Sequence, residues 1–157
     1  MPTKPKPTVI SISNRQRAVR ISQERLRRLI RHVARSEGQR LAEVDLAIVG
    51  DDDIAGLNRD FLSHSGPTDV LSFDLSEAGR TGIVAQLVVS GSTAKKQGQA
   101  RGTGAQRELM LYVVHGLLHL MGYEDLSIRG AARMHAREDE ILSDFGVGAT
   151  YQPSKKS

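Results

Sequence analysis

No cysteine occurs anywhere in the 157 residues. Disulfides and thiolate metal sites are therefore excluded, and any bound metal must use histidine, carboxylate or water ligands. No stretch approaches the ~18 consecutive apolar residues of a membrane span. The start, Met1 to Thr8, is rich in Pro and Lys and lacks the apolar core of a secretory signal. These absences lead us to expect a cytoplasmic protein with no membrane partner. Acidic residues are scarce in one place only. Residues 1–40 hold 11 Lys/Arg against 2 Asp/Glu, residues 41–94 hold 2 against 9, and residues 95–157 hold 9 against 7. A strongly basic first quarter beside an acidic segment suggests a face for a polyanion such as RNA, although a solvated basic helix has the same composition.

With 39% hydrophobic and 25% charged residues, the composition is that of one globular domain. We place it at residues 8–147, with tails at 1–7 and 148–157. Thr8 to Ser13 is β-branched and reads as a first strand. Ser22 has the position of an N-cap, with Ile21 and Leu26 as a hydrophobic staple. Leu26, Leu29, Ile30 and Val33 then keep helical period until Gly38, while Arg25, Arg27, Arg28, Arg31 and Arg35 form the opposite face. That arginine face is the candidate for phosphate contact. Val44 to Val49 alternates as a second strand. Asp51 to Asp53 would cap a short helix running to about Phe61, a commoner use of such a run than metal binding. Asp69 to Phe73 reads as a third strand. Ile83 to Ser90 reads as a fourth, apolar enough to be buried on both faces. A short helix follows over Ser92 to Gln97, with a flexible loop at 98–104. Thr103 and Gln106 have capping-box spacing ahead of a helix that runs to Met121 and is apolar almost all round. Ser127 and Gly146 bound a last helix. The fold class expected is α+β: a single compact domain with a mixed four-stranded sheet and about five helices.

The central helix ends in His115-Gly-Leu-Leu-His119-Leu-Met-Gly-Tyr-Glu-Asp125. Residues four apart share a helix face, so two imidazoles at this spacing can bind one ion. They can equally be a satisfied core pair. Gly122 is suited to a left-handed helix stop. The turn after it returns Tyr123, Glu124 and Asp125 towards the imidazoles, and a carboxylate there can serve as a third ligand. The zinc helix of metalloproteases carries its catalytic Glu directly after the first His. Here that position is Gly116, so protease chemistry lacks its base.

This stretch resembles the signature of the YbeY family of rRNA maturation factors and endoribonucleases, which reads H-G-x-L-H-L-x-G-Y-D-H. A second family segment, P-T-D-V-L-S-F, stands unchanged at Pro67 to Phe73. Leu57-Asn58 and Arg107-Glu108 also fit, and the resemblance covers roughly residues 41–145. It implies an α+β fold with the metal site on the central helix, under a cleft lined by the P-T-D-V-L-S-F strand. It also implies a single-strand-specific, metal-dependent endoribonuclease in 16S rRNA 3′-end maturation, ribosome biogenesis and quality control. The family holds its metal, usually one zinc ion, with three histidines.

Carried over residue by residue, the metal ligands are His115, His119 and Asp125, the last standing where the family has histidine. Two His and one Asp form a reasonable zinc set with an open fourth position, and the oxygen ligand can shift preference towards another divalent metal. Glu124 replaces the family Asp before it, and Ala85-Gln86 replaces a family G-D. Leu62 stands where the family has a catalytic arginine; Arg59 and His64 are the candidates to take that role. Thr68, Asp69 and Ser72 are the candidate substrate-binding residues, Thr68 and Asp69 with the local alternative of capping the strand turn. The implied partners are small-subunit rRNA and the ribosomal small subunit, with ribosomal proteins or an assembly GTPase as further candidates and no DNA. The implied mechanism is metal-assisted hydrolysis, the ion activating water and offsetting phosphate charge. No residue of these motifs is an evident general base. A non-catalytic, metal-stabilised rRNA-binding assembly factor therefore stands as the alternative, with a hydrolase of another substrate behind it.

Overall fold

The computed structural model describes residues 6–50, 70–79 and 81–147. Four strands, β1 (Val9–Asn14), β2 (Leu41–Val49), β3 (Val70–Asp74) and β4 (Ile83–Ser90), form one sheet in the order β1-β2-β4-β3. β1 and β4 each lie parallel to β2, and β3 runs antiparallel to β4. The sheet is thus mixed, as expected. Four helices are described: α1 (Gln23–Glu37), α2 (Gly91–Arg101), α3 (Ala105–Leu120) and α4 (Ile128–Phe145). The acidic helix expected over Asp51 to Phe61 lies outside the described residues. Among the described residues no helix is long and apolar enough to cross a membrane.

Local chemistry accounts for the helix limits. Ser22 Oγ accepts the Arg25 N–H at 3.2 Å, and Gly38 closes α1 at φ +61°. Leu26, Leu29, Ile30 and Val33 are wholly buried, and burial of each such side chain contributes about 1.5–3 kcal/mol. Ser127 Oγ accepts the Gly130 N–H at 2.9 Å, and Gly146 ends α4 at φ +99°.

α3 is the centre of the molecule. Leu109 to Val114, Gly116, Leu117 and Leu118 are all buried, and the helix touches β3, β4 and the other three helices. Val44, Leu46, Ile48, Ala85, Leu87 and Val89 supply the sheet side of this core. A smaller cluster of Val49, Leu71 and Val88 lies apart from it. β4 thus contributes alternate residues to two clusters, as its unbroken apolar run suggests.

Two local expectations fail between Gly91 and Ala105. The helix expected at 92–97 continues to Arg101, with Gly102 as its cap at φ +72°. Gly98 acts as a notch in that helix: a methyl group there would lie 2.5 Å from the backbone of Gly104. Its carbonyl accepts the N–H groups of both Thr103 and Gly104. The Thr103–Gln106 capping box does not form. Gly104 is the N-cap of α3 without a side-chain cap, and Gln106 Nε2 donates instead to the Arg20 carbonyl. Tertiary contact has displaced a local motif.

Candidate metal centre and the family of the chain

α3 delivers His115 partly exposed and His119 exposed, one turn further on, at its end. Helix closure there needs glycine. Gly122 adopts φ +106°, and the Tyr123 N–H turns back to the Leu118 carbonyl at 3.1 Å. The two carboxylates after the turn then part. Glu124 points into the start of α4, where its carboxylate accepts the Leu126 N–H at 2.9 Å and the Ser127 hydroxyl at 3.1 Å. Asp125 faces His115, with Oδ2 3.8 Å from Nε2. The structure therefore separates a capping carboxylate from the one offered to the imidazole.

The Tyr123 hydroxyl fixes the turn to α1 by donating to Glu37 Oε2 at 3.2 Å. Burial pushes the Tyr123 phenol above its ordinary pKa, and the Glu37 charge adds to this. Arg137 Nε donates to the other Glu37 oxygen at 2.6 Å, so α4 grips the same anchor.

Behind His115 stands a residue that motif reading missed. Glu138 of α4 is fully buried, and its Oε1 lies 3.1 Å from His115 Nδ1 and 3.3 Å from His135 Nδ1. A carboxylate can only accept, so this bond places the proton on His115 Nδ1 and leaves the Nε2 lone pair towards Asp125. A backing carboxylate of this kind sets the tautomer and orientation of metal-ligating histidines. A signal was present in the sequence: Glu138 sits between Met134 and Ile141–Leu142, on the stripe that α4 buries. A charged residue on a core stripe needs a partner.

This arrangement fits a divalent ion. With the Nδ1 proton towards Glu138, Nε2 and Asp125 Oδ2 both present lone pairs of the kind a divalent ion takes as ligands. Ligand bonds of ~2.0–2.2 Å put two donors of one zinc ion no more than about 4 Å apart. The observed 3.8 Å lies inside that limit. Among the described residues no three His, Asp or Glu side chains already converge in an ion-binding cluster.

Gly116 faces the sheet. A methyl group there would stand 2.9 Å from Leu87 Cδ2, 3.2 Å from Val70 Cγ2 and 3.8 Å from Ser72 Cβ. There is no room for the glutamate of a protease helix. The same contact sets Ser72 against the turn of α3 that carries His115. Of the other expected site residues, Arg59, His64, Thr68 and Asp69 lie outside the described residues.

Comparison with known proteins agrees with this architecture. The family model described as Endoribonuclease YbeY matches residues 11–146. A Salinibacter ruber protein named Endoribonuclease YbeY is 36% identical over 144 residues, covering 87% of this chain and 92% of the relative. A Moorella thermoacetica protein of the same name is 36% identical over 151 residues, covering 87% and 97%. A Bacillus subtilis protein so named is 31% identical, covering 81% and 90%. The solution structure of TM1509 from Thermotoga maritima shares the fold with a TM-score of 0.57 at 23% identity, covering 95% of this chain and 99% of that one. With residues 11–146 matched by the family model and a relative 36% identical over most of both chains, this chain belongs to the Endoribonuclease YbeY family.

Proposed function

We propose that this protein is a metal-dependent endoribonuclease that cleaves single-stranded RNA in maturing the 3′ end of 16S rRNA, with the ribosomal small subunit in the cytoplasm as its setting. Family membership and the name its relatives carry support RNA as the substrate class. The observation that carries the metal reading is the His115–Asp125 pair at 3.8 Å, backed by buried Glu138. His115, His119 and Asp125 would hold one zinc or other divalent transition ion. When bound, the ion supplies Lewis-acid stabilisation of charge at a scissile phosphate. The chain's own residues do the rest. Glu138 holds the His115 Nδ1 proton and thereby the ring, the Gly122 turn presents Asp125, and the close contact at Gly116 keeps Ser72 beside the site. Arg59 and His64 are proposed as catalytic groups, and Thr68, Asp69 and Ser72 as substrate contacts.

Metal content and single-stranded rRNA cleavage should be measured for wild type, His115→Ala and His119→Ala. We expect about one equivalent of metal and cleavage in the wild type, and loss of both in the variants. Equal cleavage by all three would indicate a contaminating nuclease and defeat the proposal. RNA binding without cleavage in metal-loaded wild type would assign the protein to ribosome assembly without catalysis.

A further inference from the structure

At the opposite end of α3 from His119 lies a cavity of about 520 Å³. His119 is 14 residues from Ala105, so the two ends stand about 21 Å apart along the helix axis. Three arginines from three parts of the chain line this cavity: Arg20 from the segment before α1, Arg25 from the first turn of α1, and Arg107 from the first turn of α3. Among the described residues no carboxylate pairs with any of them. Three arginines of like charge thus share one hollow, with no carboxylate among its described lining residues.

The remaining wall is also a donor surface. Gly104 caps α3 with no side chain, so the N–H groups of the first turn have no side-chain cap among the described residues. Such an end carries positive partial charge and receives phosphates well. The Arg20 backbone is held there by the Gln106 amide. The cavity wall therefore carries three arginines, a helix start without a side-chain cap, and no described carboxylate.

We infer that this cavity is a phosphate-binding site, and that the phosphate it receives belongs to the backbone of RNA bound by the protein. The inference rests on the ribonuclease reading for its ligand, but the site is remote from the cleavage chemistry. It would hold a stretch of the RNA strand away from the cleavage point.

The test is binding of a labelled single-stranded oligoribonucleotide to chelator-treated full-length protein over a range of salt concentrations. Wild type, Arg20→Gln, Arg25→Gln, Arg107→Gln and Arg25→Gln/Arg107→Gln are compared, with thermal melts confirming the fold. Lys95→Gln removes one exposed charge from α2 as a control. Each cavity substitution should weaken binding about threefold and lower the salt slope by about 0.7, with Lys95→Gln leaving the slope unchanged. Wild-type binding that is insensitive to the cavity substitutions overturns this inference and leaves the ribonuclease reading intact. No RNA binding by chelator-treated wild type overturns this inference; no binding or cleavage by the metal-loaded protein overturns both. A calorimetric titration with inorganic phosphate separates the sources. Saturable phosphate binding, lost in the double variant while RNA affinity is unchanged, would assign the cavity to a free phosphate ligand and refute the RNA assignment.

Discussion

Replacing Gly116 by alanine sets two known effects against each other. In an exposed helix interior the change stabilises by about 1 kcal/mol, because glycine loses more backbone freedom on folding. At Gly116 the added methyl would lie 2.9 Å from Leu87 Cδ2 and 3.2 Å from Val70 Cγ2. Leu87 is fully buried, so its methyl has no solvent to move into. Overpacking of this kind costs about 1–3 kcal/mol. The steric cost outweighs the gain in backbone entropy, leaving a net loss of about 1 kcal/mol. For a domain of this size that lowers Tm by roughly 2–4 °C. Urea unfolding followed by circular dichroism, with the slope compared between variants, measures it directly. Gly116→Glu should be far worse, since it also places a carboxylate between α3 and the sheet. A gain in stability of about 1 kcal/mol in the alanine variant would overturn this expectation. It would mean that helix and sheet do not meet at this position and that the missing protease glutamate has no steric cause.

Glu138→Ala should weaken metal binding roughly 10–100-fold, as judged by competition with a chromophoric chelator. Unchanged affinity would show that Glu138 does not orient His115. Gly130→Ala would force a methyl against the Glu124 carboxylate and 2.6 Å from its backbone oxygen, so it should cost about 1–3 kcal/mol and expose the 122–127 turn to proteases. The carboxylate of Asp74 is held below its usual pKa by the Ser76 hydroxyl and then by the Ser76 N–H, at 2.9 Å from Oδ1. Its contribution to stability is thus present above the unfolded-state pKa and is lost as pH falls through the lower folded value. Ser76→Ala should raise the Asp74 pKa towards the usual range in an NMR titration and shrink that acid-side loss; an unmoved pKa would count against the hydroxyl.

Where the chain satisfies itself with near neighbours, its structure was legible in the sequence. Ser22 with Gly38, and Ser127 with Gly146, bound their helices because an N-cap oxygen and a left-handed glycine act within one turn. The apolar surround of α3 and the stop at Gly122 followed in the same way; of the two histidines, the structure sets His115 beside the returning Asp125 at 3.8 Å. Tertiary structure decided matters between elements distant in sequence. The Thr103 capping box lost to the contact of Gly98 with the Gly104 backbone. Glu124 and Asp125 are adjacent and chemically alike, yet only the packing of α4's first turn sends one to a helix start and the other towards His115. Glu138 lies 23 residues from His115, and only the packing of α4 on α3 brings their side chains to 3.1 Å. The three cavity arginines come from the segment before α1, from α1 and from α3, so no sequence window holds them together. Helix caps and periodicity act over a few residues and can be read along the chain. The carboxylate behind His115 and the charge around the cavity depend on which buried faces meet, and that is set by packing of the whole core.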